Sequence, residues 1–299
     1  KHKNLGVKTF QAEDEIAAIC SAIGASFTGS LAITTTSGPG LALKGEGLGL
    51  AIMTELPLVV VDVQRGGPST GLPTRTQQGD ISMLYEASHG DTQHLVLIPG
   101  NVDECFEYAW KAFDYAEKYQ TIVFGFSDLD LGMNQWASNG FDYPNEPINR
   151  GKVIRTKKEL DKIKNYGRYR DLDGDGIPYR TLPGSGLEPM LYRGTGHDED
   201  GIYSEKGPVY RDNMTRLKRK IEGARGDLPQ PIMKEEKEHD VGIIYYGSME
   251  NTIQEIDDLD NQKVWVDWIS KYGNDISKRF GKPTHDLIEG IVSKIIVSP

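Results

Sequence analysis

Cysteine is nearly absent: the 299 residues hold two, Cys20 and Cys105, 85 positions apart. That spacing excludes a disulfide framework, a Cys-x-x-Cys metal site and a four-cysteine iron–sulfur cluster carried by this chain. Excess positive charge is also missing. Against 34 Lys and Arg stand 44 Asp and Glu, a net charge of −10, so phosphate-backbone binding is not expected and no nucleic-acid partner is implied. No apolar run approaches the roughly 18 residues that span a bilayer. The opening Lys1-His2-Lys3-Asn4 does not read as a secretory signal. The 6 histidines show no ligand spacing, and no Ser/His/Asp order stands out. These absences point to a soluble, cytoplasmic protein.

What is present is a hydrophobic content of 37% with 26% charged residues, enough for a packed core and too apolar for wholesale disorder. At about 150 residues per domain, one to three domains are expected. Charge density marks a boundary. Residues 1–100 hold 6 Lys/Arg and 9 Asp/Glu, whereas 151–240 hold 19 and 17. The second stretch reads as a solvated, irregular connecting segment with turn chemistry such as Asp173-Gly174-Asp175-Gly176 and Pro183-Gly184.

The first 126 residues alternate strand and helix signals. A helix is expected around 13–25. Leu31–Thr35 is a short β-prone run, and 41–54 reads as a buried helix. Leu58–Val63 is a near-continuous apolar run, suited to a parallel strand covered on both faces. Leu95–Ile98, a helix over 102–118 started by Asn101 or Asp103, and Ile122–Phe126 continue the alternation. The fold class is therefore α/β with a parallel sheet. The chain opens almost directly into its first helix, so the first βα unit of the 1–150 domain is expected to be missing. Val241–Ser248 reads as a strand feeding a helix at 249–258, the start of a second α/β domain.

Three places could carry chemistry. Glu15 lies in an otherwise apolar helix. It fits a solvated acidic first turn favoured by the helix dipole, and also a carboxylic acid aimed at a ligand nitrogen in a dry cleft. Thr34-Thr35-Thr36-Ser37-Gly38-Pro39-Gly40 joins strand to helix, where Ser37 and Gly38 would bring backbone N–H groups to a ligand; an ordinary tight turn fits as well. The loop from Gln64 to Arg75 follows the carboxyl end of the apolar strand, where open α/β sheets place ligands. It carries Arg65 and Arg75, and no acidic residue stands between 64 and 79. This favours an anionic ligand forked by Arg65.

Taken together, Gln11-Ala12-Glu13-Asp14-Glu15, Thr34–Leu41, Val59–Arg65 and Gly67-Pro68-Ser69-Thr70-Gly71-Leu72-Pro73-Thr74 resemble the alpha subunit of 2-oxoacid:ferredoxin oxidoreductases, especially the 2-oxoglutarate type. Gly167–Gly184 and Arg193–His197 are similar to that subunit too, and the resemblance runs to about residue 258. It implies thiamine diphosphate with Mg as cofactor. Residues 1–150 would form the pyrimidine-binding domain, and 241–299 would begin a transketolase C-terminal-like domain. It places the activating glutamate on Glu15 and substrate carboxylate contacts on Arg65 and Thr74. The implied reaction is oxidative decarboxylation of a 2-oxoacid to an acyl-coenzyme A, with electrons passed to ferredoxin. The diphosphate half of the cofactor site and a [4Fe-4S] cluster would lie on a partner beta subunit.

Departures from the family pattern qualify this. Its usual N-terminal domain and the Tyr-Pro-Ile-Thr-Pro stretch before the first helix are absent, which implies an N-terminally truncated chain. Residues 261–299 match no motif of the family. An inactive, fused fragment serving only as an interaction module is the alternative class. Acetolactate-synthase-like chemistry shares the Ser37–Gly40 turn but not the 67–74 loop. Two decoys lie in the turn at 171–176. Gly174-Asp175-Gly176 mimics a diphosphate-metal motif, but the next asparagine, Asn213, is 38 residues after Asp175. Asp171, Asp173 and Asp175 match half a calcium loop whose twelfth position is Leu182 rather than glutamate. A hydrogen-bonded turn is the default there.

Overall fold

The computed structural model describes residues 3–187, 190–233 and 244–258. Thirteen α-helices and strands follow in order. The first five are α1 (Glu15–Phe27), β1 (Ile33–Thr36), α2 (Gly38–Leu43), α3 (Gly45–Thr54) and β2 (Leu58–Gln64). Then come α4 (Ile81–Tyr85), β3 (Leu95–Leu97), α5 (Val102–Tyr119), β4 (Ile122–Asp128) and α6 (Leu129–Met133). The last are α7 (Lys157–Leu160), α8 (Gly207–Gly223) and α9 (Met249–Asp258). The four strands form one parallel sheet in the order β1-β2-β4-β3. The expected α/β class is what the chain adopts.

The sheet explains the apolar runs. On β2, Leu58 and Val60 pack with α1, α2 and α3 through Ile19, Ile23, Leu41 and Leu48, together with Phe124 and Phe126 of β4. Val59 faces the other layer with Val123, Ala112 and Ala116. A strand covered on both faces cannot alternate apolar and polar, so β2 and β4 read as continuous runs. Helix α5 starts where Asn101 was expected to start it: the Asn101 side chain accepts from Glu104 N at 2.9 Å. The expected helix over 41–54 is two helices, broken at Lys44.

Two sequence expectations need correction. The segment 151–240 is not wholly solvated. It contains the 17-residue helix α8, and Arg168, Arg180, Arg216 and Lys220 from this stretch are buried. Arg168 donates to the Thr54 and Glu55 carbonyls, and the other three charges are matched across long sequence separations. Arg216 donates to both Glu55 carboxylate oxygens, at 2.5 and 3.0 Å, and Lys220 Nζ donates to Glu55 at 2.7 Å. Arg180 pairs with buried Glu117 at 2.7 Å. Burial alone would raise the Glu55 pKa; the Arg216 and Lys220 charges outweigh it and hold the carboxyl below its ordinary range. The charge count was right, but it cannot separate a solvated face from a buried ion network. Secondly, the strand expected over 241–248 is not formed by its described part: Ile244–Gly247 leads through a turn into α9. Val241–Ile243 and residues 261–299 lie outside the described residues.

Candidate functional site

The carboxyl ends of β1 and β2 gather the sequence-picked residues. Thr36 of β1 pairs in register with Asp62 of β2, so the Ser37–Gly40 turn and the loop after Gln64 leave the sheet side by side. Glu15 is the first residue of α1, behind an N-cap whose Asp14 side chain accepts from Ala17 N at 2.7 Å. It is half-buried rather than embedded in the helix interior. Its side chain lies against Gly40 and Thr36, where a Cβ on residue 40 would collide with both. Among the described residues no donor hydrogen-bonds the Glu15 carboxyl. Its backbone carbonyl accepts from Lys44 Nζ at 3.0 Å. Lys44 is buried; desolvation lowers its pKa, opposed by the nearby Glu15 and Asp14 charges.

Ser37 is the N-cap of α2, yet its side chain makes no capping hydrogen bond. Gly38 is buried at a close approach: a Cβ there would lie 2.6 Å from Asp80 Oδ2. The turn is thus flanked on one side by Glu15 and on the other by Asp80.

The loop from Gln64 to Asp80 is stapled at both ends. Asp80 N donates to Gln64 Oε1 at 3.2 Å. Gly66 N donates to Arg75 O at 3.1 Å, and Leu72 N to Gly66 O at 2.8 Å. Gly71 has φ +43°, and a Cβ there would strike the Gly66 carbonyl, so only glycine closes the loop this tightly. The Gly67–Pro68 peptide is cis. Arg65 and Thr74, distant in sequence, therefore stand beside the joined pair Gly66–Arg75. Arg65 Nε is buried and lacks a hydrogen-bond partner. Thr74 is exposed.

Sequence reasoning overlooked Asp62, Asp80, Gln64 and Lys44. One signal was available: Asp62 and Gln64 occupy the inward alternation of β2 after Leu58 and Val60, so the covered face turns polar at its carboxyl end. The 171–176 aspartates are not brought to this site. Asp171 accepts from Gly174 N and Gly176 N at 2.8 and 2.9 Å and pairs with Arg219. Asp173 and Asp175 are both held by Lys152. The default, a hydrogen-bonded turn, describes their geometry, and no cluster suited to a metal ion occurs among the described residues. No helix among them is long and apolar enough to cross a membrane.

A family model described as pyruvate flavodoxin/ferredoxin oxidoreductase, thiamine diphosphate-binding, matches residues 1–165. The 2-oxoglutarate oxidoreductase subunit KorA of Mycobacterium tuberculosis is 55% identical over 138 residues, covering 46% of this chain and 21% of that protein. The 2-oxoglutarate synthase subunit KorA of Methanocaldococcus jannaschii is 37% identical over 246 residues, 82% of this chain and 63% of that one. A solved 2-oxoglutarate:ferredoxin oxidoreductase from Magnetococcus marinus, with 2-oxoglutarate, coenzyme A and succinyl-CoA bound, superposes with a TM-score of 0.73 at 34% identity. The match covers 85% of this chain and 44% of that one. The chain thus spans less than two thirds of the length of these relatives.

Proposed function

The chain belongs to the thiamine-diphosphate-binding family of pyruvate flavodoxin/ferredoxin oxidoreductases, and on that premise we propose that it supplies the pyrimidine-facing half of a 2-oxoacid:ferredoxin oxidoreductase alpha subunit. The observation that carries the reading is Glu15, half-buried against Gly40 and Thr36 with no hydrogen bond to its carboxyl among the described residues. Such a carboxyl fits a heterocyclic ring nitrogen: it can share a proton there, and Lys44 beneath its backbone fixes the start of α1. Ser37 and Gly38 would line the turn facing the ring. When bound, the cofactor would supply the carbanion chemistry that decarboxylates a 2-oxoacid.

On the other flank, Arg65 presents a buried, unpaired Nε–H. An unmade hydrogen bond of a charged donor is costly, and a substrate carboxylate would complete it. Thr74, beside the same loop closure, would add a hydroxyl. The two relatives named for 2-oxoglutarate favour that substrate, with an acyl-coenzyme A as product and ferredoxin as electron acceptor. The two cysteines supply no cluster, so a beta subunit is expected to bring the [4Fe-4S] centre and the Mg-diphosphate half of the site.

The test is assembly. The chain alone should bind thiamine diphosphate and magnesium weakly in calorimetric titration. With a beta subunit of this family, 2-oxoglutarate-dependent ferredoxin reduction should appear. Tight stoichiometric binding by the lone chain would refute the shared site. An assembled complex inert toward every 2-oxoacid would favour an interaction module instead.

A further inference from the structure

His197 is buried, 2% exposed, and its ring packs on Tyr169 with 3.9 Å between centroids. Each of its nitrogens meets a group that can play only one part. Nδ1 lies 2.8 Å from the Thr195 carbonyl oxygen, which only accepts, so Nδ1 carries the hydrogen. Nε2 lies 3.3 Å from Asn213 Nδ2, which only donates, so Nε2 is bare. The Asn213 amide cannot be turned round, because its Oδ1 accepts from Arg216 Nη2 at 2.8 Å and a guanidinium offers donors alone. Arg216 is anchored in turn by both Glu55 carboxylate oxygens and by the Gly176 carbonyl at 3.0 Å. One directed chain of donors thus runs from Arg216 through Asn213 and His197 to Thr195. It joins α8 to the turn at 195–203, which is itself bridged between His197 and Tyr203.

We propose that His197 is a proton-gated latch: neutral, it accepts from Asn213 and ties the 195–203 turn to α8; protonated, it presents a second donor to Asn213 and releases that tie. The proton arrives from solvent at Nε2. Asn213 then has no arrangement that satisfies both neighbours, because either orientation of its amide sets the NH2 group against a donor. The added charge also meets a cationic, water-poor setting, where it is costly. Arg216 of α8 and Arg168, next to Tyr169, face the ring, opposed by Glu55 at the end of α3. Glu55 is already shared by Arg216 and Lys220. Asp198, the adjacent acid, accepts from the Asp200 and Ile202 amides.

Burial, the largest cause, holds the His197 pKa below the ordinary 6.5; the Thr195 hydrogen bond and Glu55 oppose it, and Arg216 and Arg168 reinforce it. The unfolded chain therefore takes up this proton as pH falls through 6.5, before the folded chain does. Stability from the neutral ring is complete above that value and declines as pH falls below it.

The experiment is a pH titration of the full chain by NMR, reading the His197 ring nitrogens and amide exchange at 195–203, beside unfolding curves for the wild type and two variants. At neutral pH the wild-type ring should be the Nδ1–H tautomer, and its midpoint should lie below 6.5. Exchange at 195–203 should quicken through the same step. Asn213→Asp keeps an acceptor for Arg216 and offers another to Nε2–H, so it should raise the midpoint above 6.5 and keep the turn tied in acid. His197→Gln cannot titrate, so its stability should fall less than that of the wild type on acidification. His94, whose pKa burial also lowers, is common to both proteins, so the difference belongs to His197. An Nε2–H tautomer, a wild-type midpoint at or above 6.5, turn exchange that ignores the step, or an unmoved midpoint in Asn213→Asp would each overturn the latch. Should Asn213→Asp fail to fold, the wild-type tautomer, midpoint and exchange decide alone. These readouts require no cofactor or substrate, so they stand or fall separately from the proposed activity.

Discussion

Gln78 and Tyr246 hold each other by two reciprocal hydrogen bonds across 168 positions of sequence. Gln78 Nε2 donates to the Tyr246 carbonyl, and the Tyr246 hydroxyl donates to the Gln78 carbonyl, each at 3.1 Å. Nearby, Ser248 Oγ donates to Asp128 at 2.5 Å. The segment before α9 thus clamps the last residues of the Arg65 loop against the end of β4. Tyr246→Phe removes one of the two bonds and leaves a carbonyl short of a donor. It should cost about 1 kcal/mol and speed amide hydrogen exchange at 76–80 while leaving the β2 amides unchanged. Unaltered exchange in the loop would show that the clamp contributes nothing.

Glu15→Gln preserves shape and packing against Gly40, but an amide cannot share the proton in the same way. In the assembled enzyme its turnover should fall by on the order of 100-fold to 10,000-fold, the range that a positioned acid–base group supplies. The melting temperature should hardly move. Near-normal turnover would remove Glu15 from the chemistry.

Arg65→Lys keeps the charge but loses the fork and the Nε–H. The expected result is a higher KM for dicarboxylic 2-oxoacids with a smaller change in kcat, because the lost interaction is made to the bound substrate as well as to the transition state. Steady-state kinetics across several 2-oxoacids would check it. A uniform fall in kcat with KM unchanged would assign Arg65 another part.

Glu55→Gln tests the buried network. It leaves Arg216 and Lys220 without their carboxylate, and breaking one side of a buried ion pair costs about 3–5 kcal/mol. Denaturant unfolding should therefore show a large loss of stability. Lys220 amplifies it: burial lowers its pKa to about 8 even with Glu55 beside it, so in the variant it should lose its proton at a still lower pH. A loss below about 1 kcal/mol, the scale of exposed pairs, would mean the network is solvated in solution.

The sequence by itself determined the sheet. Apolar runs at 58–63 and 122–126 can only be strands covered on both faces, and Asn101 has the chemistry to begin α5. The glycines at 38 and 40 likewise marked a turn where backbone comes close, because local turn geometry is written in local residues. Tertiary structure decided what the charges do. Glu55 meets Arg216 161 residues later, and Asp128 accepts from Ser248 120 residues later. A charge's worth depends on its burial and its partner, and neither is a property of neighbouring positions in the chain. For that reason the mixed-charge segment read as solvent-facing, and for the same reason Asp62 passed as one more residue of an apolar strand.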